Sequence, residues 1–339
     1  MSAQTDQITT QTTVLPLPVR RQASVAQRLQ AGLAHVVWFW LAGLIVIFGI
    51  LNPFFFSTSN IQNVLVQATV LGLLGLAQSL VLLVGEIDLS IAAATGISSA
   101  LGALAIQRLG LPVPVGIVLG IGIATFIGFV NGLCVTKLRM VSLIESLGMM
   151  ITLQGGLLAL TKGNTITDMP DSYNWIGQAT VENWPVMPLV LLLGFIAMGF
   201  MLRRTILGRS LYATGGNAAA ALVAGIRVPR IKIIAFTLSG FISGVAGWLL
   251  AAWQMAITSN QGEGFLLYAI AAPIIGGVSV FGGRGGTLGI LGGVLLLTVI
   301  HVGLAIVYVP SFYVTMIGGV LIFIAVAVDA LRVNVLGES

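Results

Sequence analysis

Long apolar runs alternate with short polar segments along almost the whole chain. A helix needs about 20 mostly apolar residues to cross the hydrocarbon core of a bilayer, because each residue rises about 1.5 Å along the axis. No run shows the two-residue alternation of a membrane strand. The pattern therefore predicts an all-α bundle of about ten membrane-spanning helices, at roughly 33–51, 62–84, 90–107, 112–135, 141–161, 186–202, 231–256, 265–281, 287–307 and 311–329.

One polar interruption, the segment 203–232, is strongly basic and contains a short helix signal. It holds six of the 15 Lys and Arg residues of the chain. Asn217 is a good N-cap, the alanines that follow it stabilise a helix, and Gly225 suits a C-terminal cap. Gly215 and Gly216 permit a sharp entry into this helix. The segment is therefore predicted to contain an ordered surface helix.

The composition excludes an ordinary soluble domain. Hydrophobic residues make up 57% of the 339 residues and charged residues 7%, whereas soluble domains carry about 25% charged residues. Most of the surface must therefore face lipid. In a membrane protein, basic residues mostly indicate which loops face the cytoplasm. The net charge of +5 is therefore no sign of a nucleic acid partner, and we expect a lipid bilayer around the chain.

The basic residues predict which helix ends face the cytoplasm. With the N-terminus inside, all Lys and Arg residues except Arg108 and Lys162 fall in inner segments. This bias follows the positive-inside rule, and an even number of spans returns the C-terminus to the cytoplasm. We expect a disordered cytoplasmic tail at 1–30, a membrane domain at 31–332 and a cytoplasmic tail at 333–339.

The largest outer segment, at about 162–185, is acidic and rich in aromatic residues. Tryptophans often anchor such a loop at the membrane interface. A docking surface for an external partner is the other interpretation, and the sequence leaves both open.

No catalytic or metal-binding pattern is present in the sequence. There is no Walker sequence GxxxxGK[ST], no H-E-x-x-H and no G-x-S-x-G, and the two histidines lie far apart. The single cysteine, Cys134, lies in an apolar run and is typical of a small core residue. We therefore expect no enzymatic activity, no cofactor and no metal, and energy from ATP must come from another chain.

Few ionisable residues lie within the predicted spans, which argues against a pump with buried acid relays. A stand-alone, ion-coupled secondary transporter stays open as an alternative, because sodium sites can use carbonyl and hydroxyl oxygens. Glu86 and Asp88 fall at the turn between the second and third spans. Asp88, assisted by Ser90, would cap the third span, or it would act with Glu86 near an inner gate. Asn131 would bond between helices or line the pathway.

The glycines follow two patterns. Gly240, Gly244 and Gly247 recur at the spacing that lets helix backbones approach closely in lipid. The run 276–286 is denser in glycine than packing requires, and it predicts a tight re-entrant hairpin or a flexible gate at an inner turn. Its gate candidates are Gly276, Gly277, Gly282 and Gly283.

Four motifs together resemble the permease subunits of bacterial ABC importers of the ribose, xylose and arabinose class. They cover about residues 40–330 in the family's order: GEIDLSIAAATG at 85–96, NGLCVTKLRM at 131–140, LGRSLYATGGNAAAALVAGIRV at 207–228 and YAIAAPIIGGVSVFGGRGGTLGILGG at 268–293. Branched-chain amino-acid permeases share part of this pattern and are the nearest alternative.

The resemblance implies a multi-pass subunit of the bacterial inner membrane that imports a monosaccharide or related polyol and performs no chemistry itself. It implies a cytoplasmic ATP-binding subunit, a periplasmic substrate-binding protein, and a second permease copy or paralogue in a homodimer or heterodimer. It also marks the 203–232 segment as the place where the ATPase docks. The coupling candidates are Gly208, Arg209, Gly215, Gly216, Asn217, Ala220, Ala221 and Gly225. A loop held at the lipid surface by its basic residues is the alternative.

Overall fold

The computed structural model describes the backbone of residues 25–335 and the side chains from Val37 onward, except several in the last helix. Within these residues the fold is helical apart from a hairpin of β1 (Thr180–Val181) and β2 (Trp184–Pro185). The helices are α1 (Val25–Leu51), α2 (Thr58–Leu83), α3 (Ile91–Leu109), α4 (Val113–Lys137), α5 (Ser142–Thr161), α6 (Asp171–Gln178), α7 (Met187–Arg204), α8 (Ile206–Gly216), α9 (Ala218–Val223), α10 (Val228–Gln254), α11 (Leu266–Ile275), α12 (Thr287–Ile306) and α13 (Ser311–Val335).

Nine of the ten predicted spans coincide with one long helix each, namely α1 to α5, α7, α10, α12 and α13. In the described residues, α2, α4, α5, α7, α10 and α12 are long and apolar enough to cross a membrane. Helix α1 begins at Val25, so residues 25–30 of the predicted disordered tail are helical. The rest of that tail and residues 336–339 lie outside the described residues.

The eighth predicted span, 265–281, is much shorter than expected. Helix α11 has 10 residues and contains Pro273, so it rises only about 15 Å, half of a hydrocarbon core of about 30 Å. A 3₁₀ turn at Glu263–Phe265 precedes it, and a loop follows it from Gly276 to Gly286. The apolar composition of this stretch suggested a span, but the glycines end the helix early.

The centre of the bundle is formed by α2 and α10. Every residue of α2 from Ala68 to Leu83 is buried, and α10 packs against α2, α3 and α4. Glycine allows these close approaches: a Cβ atom on Gly240 would overlap the Ala124 carbonyl oxygen of α4, and one on Gly247 would overlap the Thr95 carbonyl oxygen of α3. The predicted role of these glycines in helix packing is confirmed.

The turns between helices gather at two ends of the bundle. At one end, which we call the junction end, the turns after α2 and α11 contact each other and the end of α8. At the other, the far end, Gln62 Nε2 donates to the Asn183 carbonyl oxygen and Ile166 forms a β-bridge with Ile257. The predicted inner and outer turns of this described part thus separate into two groups.

The segment 162–185 at the far end is folded onto the bundle. It contains α6 and the β1–β2 hairpin. The Trp248 indole nitrogen on α10 donates to the Tyr173 carbonyl oxygen of α6 at 3.3 Å, and Gly177 lies against the backbone of Ala252 and Trp253. The segment is therefore an ordered cap on α10 and not a free loop.

Candidate functional site

The turn from Val84 to Ser90, between α2 and α3, lies at the centre of the contacts at the junction end. Gly85 has a φ of +76°, in the left-handed region that glycine adopts without strain. The Ile87 backbone nitrogen donates to Ser142 Oγ of α5 at 3.3 Å. The predicted gate residues Glu86, Asp88 and Ser90 all lie on this turn. Glu86 contacts α10, Asp88 contacts Ser90, and Ser90 also contacts α4.

Glu86 forms an ion pair with Lys232 near the start of α10. The two side chains are 15% and 22% exposed, so solvent screens the pair only in part. Sequence reasoning selected both residues, one as a gate candidate and one as part of the basic segment, but it did not connect them. Their separation of 146 positions gives no periodic signal that could have done so.

Asp88 and Ser90 are buried and bonded to each other. The Ser90 backbone nitrogen and hydroxyl both approach Asp88 Oδ1, at 2.8 and 2.7 Å. Asp88 therefore holds the residue that precedes α3 and does not cap the first turn of that helix. Burial raises the pKa of the Asp88 carboxyl, and the bonds from Ser90 offset this shift only in part.

Asn131 of α4 extends this cluster to Glu145 of α5. The amide orientation that satisfies its neighbours places its oxygen 2.7 Å from Ser90 Oγ, and its nitrogen donates to Glu145 Oε1 at 3.1 Å and to the Ile127 carbonyl oxygen at 3.2 Å. Ser90 then has one hydroxyl hydrogen between two acceptors, Asp88 and Asn131. A proton on Asp88 satisfies both contacts, which agrees with the raised pKa of its carboxyl.

Glu145 is the functional candidate that sequence reasoning did not select. It is 6% exposed, and its Oε2 atom has no hydrogen-bond partner in the described part of the chain. The available signal was a single acid within an apolar span, which usually has a functional reason. Its link to Asn131 is a tertiary contact that the sequence does not reveal.

The predicted surface helix is present as α9. Asn217 has an extended backbone, and its side chain accepts a hydrogen bond from the Ala220 backbone nitrogen at 2.9 Å. Gly225 follows the helix end with a φ of +84°. Ala220 is exposed and Ala221 is buried, while the larger Leu222 and Val223 are 62% and 90% exposed. The N-cap and the C-terminal glycine are therefore where the sequence placed them.

The glycines before α9 differ from the prediction. Gly215 and Gly216 are the last residues of a second helix, α8, and not an entry loop. Thr205 Oγ1 begins α8 by accepting a hydrogen bond from the Gly208 nitrogen at 3.1 Å. Gly208 is buried against the backbone of Leu202, whereas Arg209 is exposed. The 203–232 segment thus contains two consecutive helices.

Helix α8 is fixed to α2 and to the glycine-rich loop 276–286 by backbone contacts. A Cβ atom on Gly215 would overlap the Leu83 carbonyl oxygen and would lie 2.5 Å from the Gly283 nitrogen. The same Leu83 oxygen accepts a hydrogen bond from the Gly283 nitrogen at 3.0 Å. The Tyr212 hydroxyl donates to the Gly285 carbonyl oxygen at 2.8 Å. Three chain segments therefore meet at the end of α2 without an intervening side chain.

The loop 276–286 is a compact hairpin in the structure. The Ser279 nitrogen donates to the Arg284 carbonyl oxygen at 3.1 Å, which closes the hairpin. At its tip Gly282 lies against Gly85 and Gly215. At its base Gly276 packs against the Gly289 backbone of α12.

The structure brings only part of the predicted set together. Gly282, Gly283 and Gly215 meet the backbone of Leu83 and Gly85, next to Glu86. Asp88, Ser90 and Asn131 form a buried cluster on the other side of the α2–α3 turn. The other candidates lie around them: Gly208, Arg209, Gly216, Asn217, Ala220, Ala221 and Gly225 belong to α8, α9 and their ends, and Gly276 and Gly277 to the base of the hairpin. Within the described residues, no group of three or more metal-ligating side chains is present.

Comparisons with known proteins identify the family of the chain. Residues 60–326 match the family model described as "Branched-chain amino acid transport system / permease component". The chain is similar to the ribose import permease protein of Bacillus subtilis strain 168, at 38% identity over 288 residues, which are 84% of this chain and 89% of that protein. It is also similar to the ribose import permease protein of Escherichia coli K12, at 35% identity over 84% of this chain and 90% of that one.

A third relative has a different sugar in its name. The fructose import permease protein of Rhizobium meliloti is 33% identical over 294 residues, which are 84% of this chain and 82% of that protein. No solved structure matches the chain.

Proposed function

The chain belongs to the family of branched-chain amino acid transport system permease components, and on that premise we propose that it is the permease subunit of an ATP-driven importer for a monosaccharide or related polyol. The observation that carries the proposal is the similarity of 84% of the chain to permeases named for ribose and fructose import. The family description names branched-chain amino acids instead, so an amino-acid permease is the second candidate.

We propose that α8 and α9 receive the ATP-binding subunit. Helix α9 is mostly exposed at the junction end, and α8, which precedes it, has backbone contacts with the end of α2. The exposed Ala220, Leu222 and Val223 provide an apolar docking face, with Arg209 exposed on α8. The sequence has no Walker motif, so the hydrolysis of ATP belongs to the partner.

We further propose that the junction end faces the cytoplasm, as the excess of basic residues in its turns predicts. The far end then meets a periplasmic binding protein, with the folded segment 162–185 as part of that surface. A second copy or a paralogue completes the pathway. In this arrangement Glu86, Asp88, Ser90, Asn131 and the glycine hairpin form the inner gate, and their contacts change when the transporter opens inward.

Reconstitution of the permease with its ATPase and binding protein tests the proposal. Ala220→Arg places a long charged side chain on the docking face and preserves helix propensity. We expect it to abolish co-purification of the ATPase and the stimulated hydrolysis of ATP, with an unchanged elution profile in detergent. Thr165→Arg, an exposed position at the far end, is the control for ATPase binding and should retain co-purification.

Two results would contradict the proposal. Uptake by this chain alone, driven by a sodium or proton gradient, would show a secondary transporter. Uptake of leucine and not of sugars by the complete importer would favour the amino-acid permease.

A further inference from the structure

A cavity of about 220 Å³ lies between α2, the start of α11 and α12. A single water needs only about 10–15 Å³ of such space, so the cavity is large enough for one small solute. Its lining contains one amide, one phenol, one imidazole and one hydroxyl, together with apolar walls: Gln67, Leu71, Gly264, Phe265, Tyr268, Leu297, Thr298 and His301.

The cavity reaches from the far end toward the middle of the bundle. Gln67 is nine positions after the beginning of α2 at Thr58, about 14 Å along that helix. His301 is five positions before the end of α12 at Ile306, about 8 Å from that end. A solute released at the far end would therefore meet these side chains before it reached the junction end.

The polar atoms of the cavity have unused hydrogen-bonding capacity. Gln67 Nε2 donates to Asn63 Oδ1 at 3.0 Å, which leaves its oxygen, and Thr298 Oγ1 donates to the Val294 carbonyl oxygen at 2.8 Å, which leaves its lone pairs. Tyr268 and His301 stand edge to face, with ring centroids 6.2 Å apart. Among the described residues neither ring has a hydrogen-bond partner. Polar groups left unpaired at membrane depth are costly, so water or a solute must serve them.

The chemistry of the lining selects against charged solutes. Its side chains include no carboxylate, ammonium or guanidinium group, so the two charges of an amino acid would lose their hydration without a charged partner. A polyol instead offers many neutral donors and acceptors to the four polar side chains. Its C–H faces can contact Leu71, Phe265 and Leu297.

We propose that Gln67, Tyr268, Thr298 and His301 form a binding subsite for a single neutral polyhydroxylated solute, of pentose or hexose size, on the transport path. This inference rests on the proposed function, because it assigns the far end to substrate entry. It adds the permease's own contribution to substrate choice, separate from that of the binding protein.

Variants that remove single polar groups of the lining test the subsite in the complete importer. Thr298→Val and Gln67→Leu each remove one polar contact, and we expect either to raise the KM for uptake of radiolabelled ribose, arabinose or fructose about three- to tenfold. ATP hydrolysis stimulated by the binding protein should be retained. Thr315→Val is the matched control, because Thr315 makes the same bond to its own helix, to the Ser311 carbonyl oxygen at 3.1 Å, but lies exposed on α13.

Cysteine labelling gives a readout that does not depend on transport. Cys134 is the single cysteine, so Cys134→Ser provides a background for Tyr268→Cys and for a control cysteine at Thr315. We expect a polar maleimide to label position 268 from the far end, and the transported sugar to slow that labelling at least twofold without affecting position 315.

Unchanged KM values together with unprotected labelling at position 268 would overturn the subsite while sugar import by the importer still supported the proposed function. Import of leucine and of no sugar would overturn both.

Discussion

Lys232 at the start of α10 is paired with Glu86 on the turn after α2, so one ion pair joins the two helices that form the centre of the bundle. The pair lies beside the place where α8 and the glycine hairpin contact the end of α2. It therefore fixes the α2–α3 turn from one side while backbone contacts fix it from the other.

If the Glu86–Lys232 pair stabilises the fold, exchanging the two charges should preserve most of that stability. Glu86→Gln or Lys232→Met leaves a half-buried charge without its partner, which should cost about 1–3 kcal/mol of folding free energy, between the values for exposed and buried pairs. The double variant Glu86→Lys with Lys232→Glu should regain most of that loss. Thermal unfolding in detergent measures it, and Lys137→Met, at an exposed position of α4, is the control. No recovery in the double variant would contradict a specific pair.

Adjacent glycines at the end of α8 predict opposite outcomes. Gly215→Ala forces a methyl group into the Leu83 carbonyl oxygen, and backbone on both sides cannot yield as a side chain can. We expect at least a tenfold loss of ATP-driven uptake. Gly216→Ala should be close to wild type, because its Cβ would lie 4.0 Å from the nearest atom, Gly283 Cα. Equal activity of the two variants would show that α8 and α2 need not stay in contact.

The N-cap of α9 predicts a graded loss of coupling. Asn217→Ala removes the acceptor of the Ala220 N–H group, at a cost of about 1 kcal/mol for a helix of only six residues. The helix should fray, and the apparent affinity for the ATPase should fall about fivefold in a pull-down titration. Asn217→Ser and Asn217→Asp keep a capping oxygen and should bind as the wild type does. Weak binding by all three variants would point to a direct contact of the Asn217 amide.

Asp88 predicts how stability depends on pH. Its pKa in the folded state is raised above the ordinary value of 3.8, so the stability that its neutral form contributes is complete below about pH 3.8 and is lost as the pH rises through the raised pKa. Asp88→Asn imitates the neutral carboxyl and should flatten this decline in unfolding temperatures measured between about pH 4 and pH 8.

Asp88→Leu separates the hydrogen bond from the charge. It removes the acceptor of the Ser90 backbone nitrogen and should lose about 1–3 kcal/mol at every pH. A wild-type pH profile in Asp88→Asn would show that the carboxyl stays ionised in the folded protein.

The sequence predicted the long helices well because each of them is specified locally. A span needs about 20 apolar residues, and α2, α4, α5 and α12 are flanked by glycine, proline or polar residues. The cap of α9 was predictable for the same reason, since Asn217 and Gly225 act on their own neighbours. Helix α8 was missed because its terminal glycines are typical of turns, whereas Gly215 is needed here because the Leu83 carbonyl oxygen of α2 leaves no space for a side chain.

The contacts that build the candidate site are not local, and the sequence does not specify them. Glu86 and Lys232, or Asn131 and Glu145, come together only through the packing of α4, α5 and α10 on the α2–α3 turn. The shortness of α11 was hidden for a related reason. The composition of 265–281 is apolar enough for a span, while its glycine backbone conformations depend on contact with α2 and α12.

One buried helix, α2, runs between the two sites proposed for this protein. Leu83, where α8 presses on the backbone, and Gln67, in the polar cavity, are sixteen positions apart on one uninterrupted helix, or about 24 Å. Such a helix moves as one rigid unit. If the ATP-binding subunit displaced α9, α2 would transmit the movement as an axial shift or a rotation, and the bound solute would experience it at the same time.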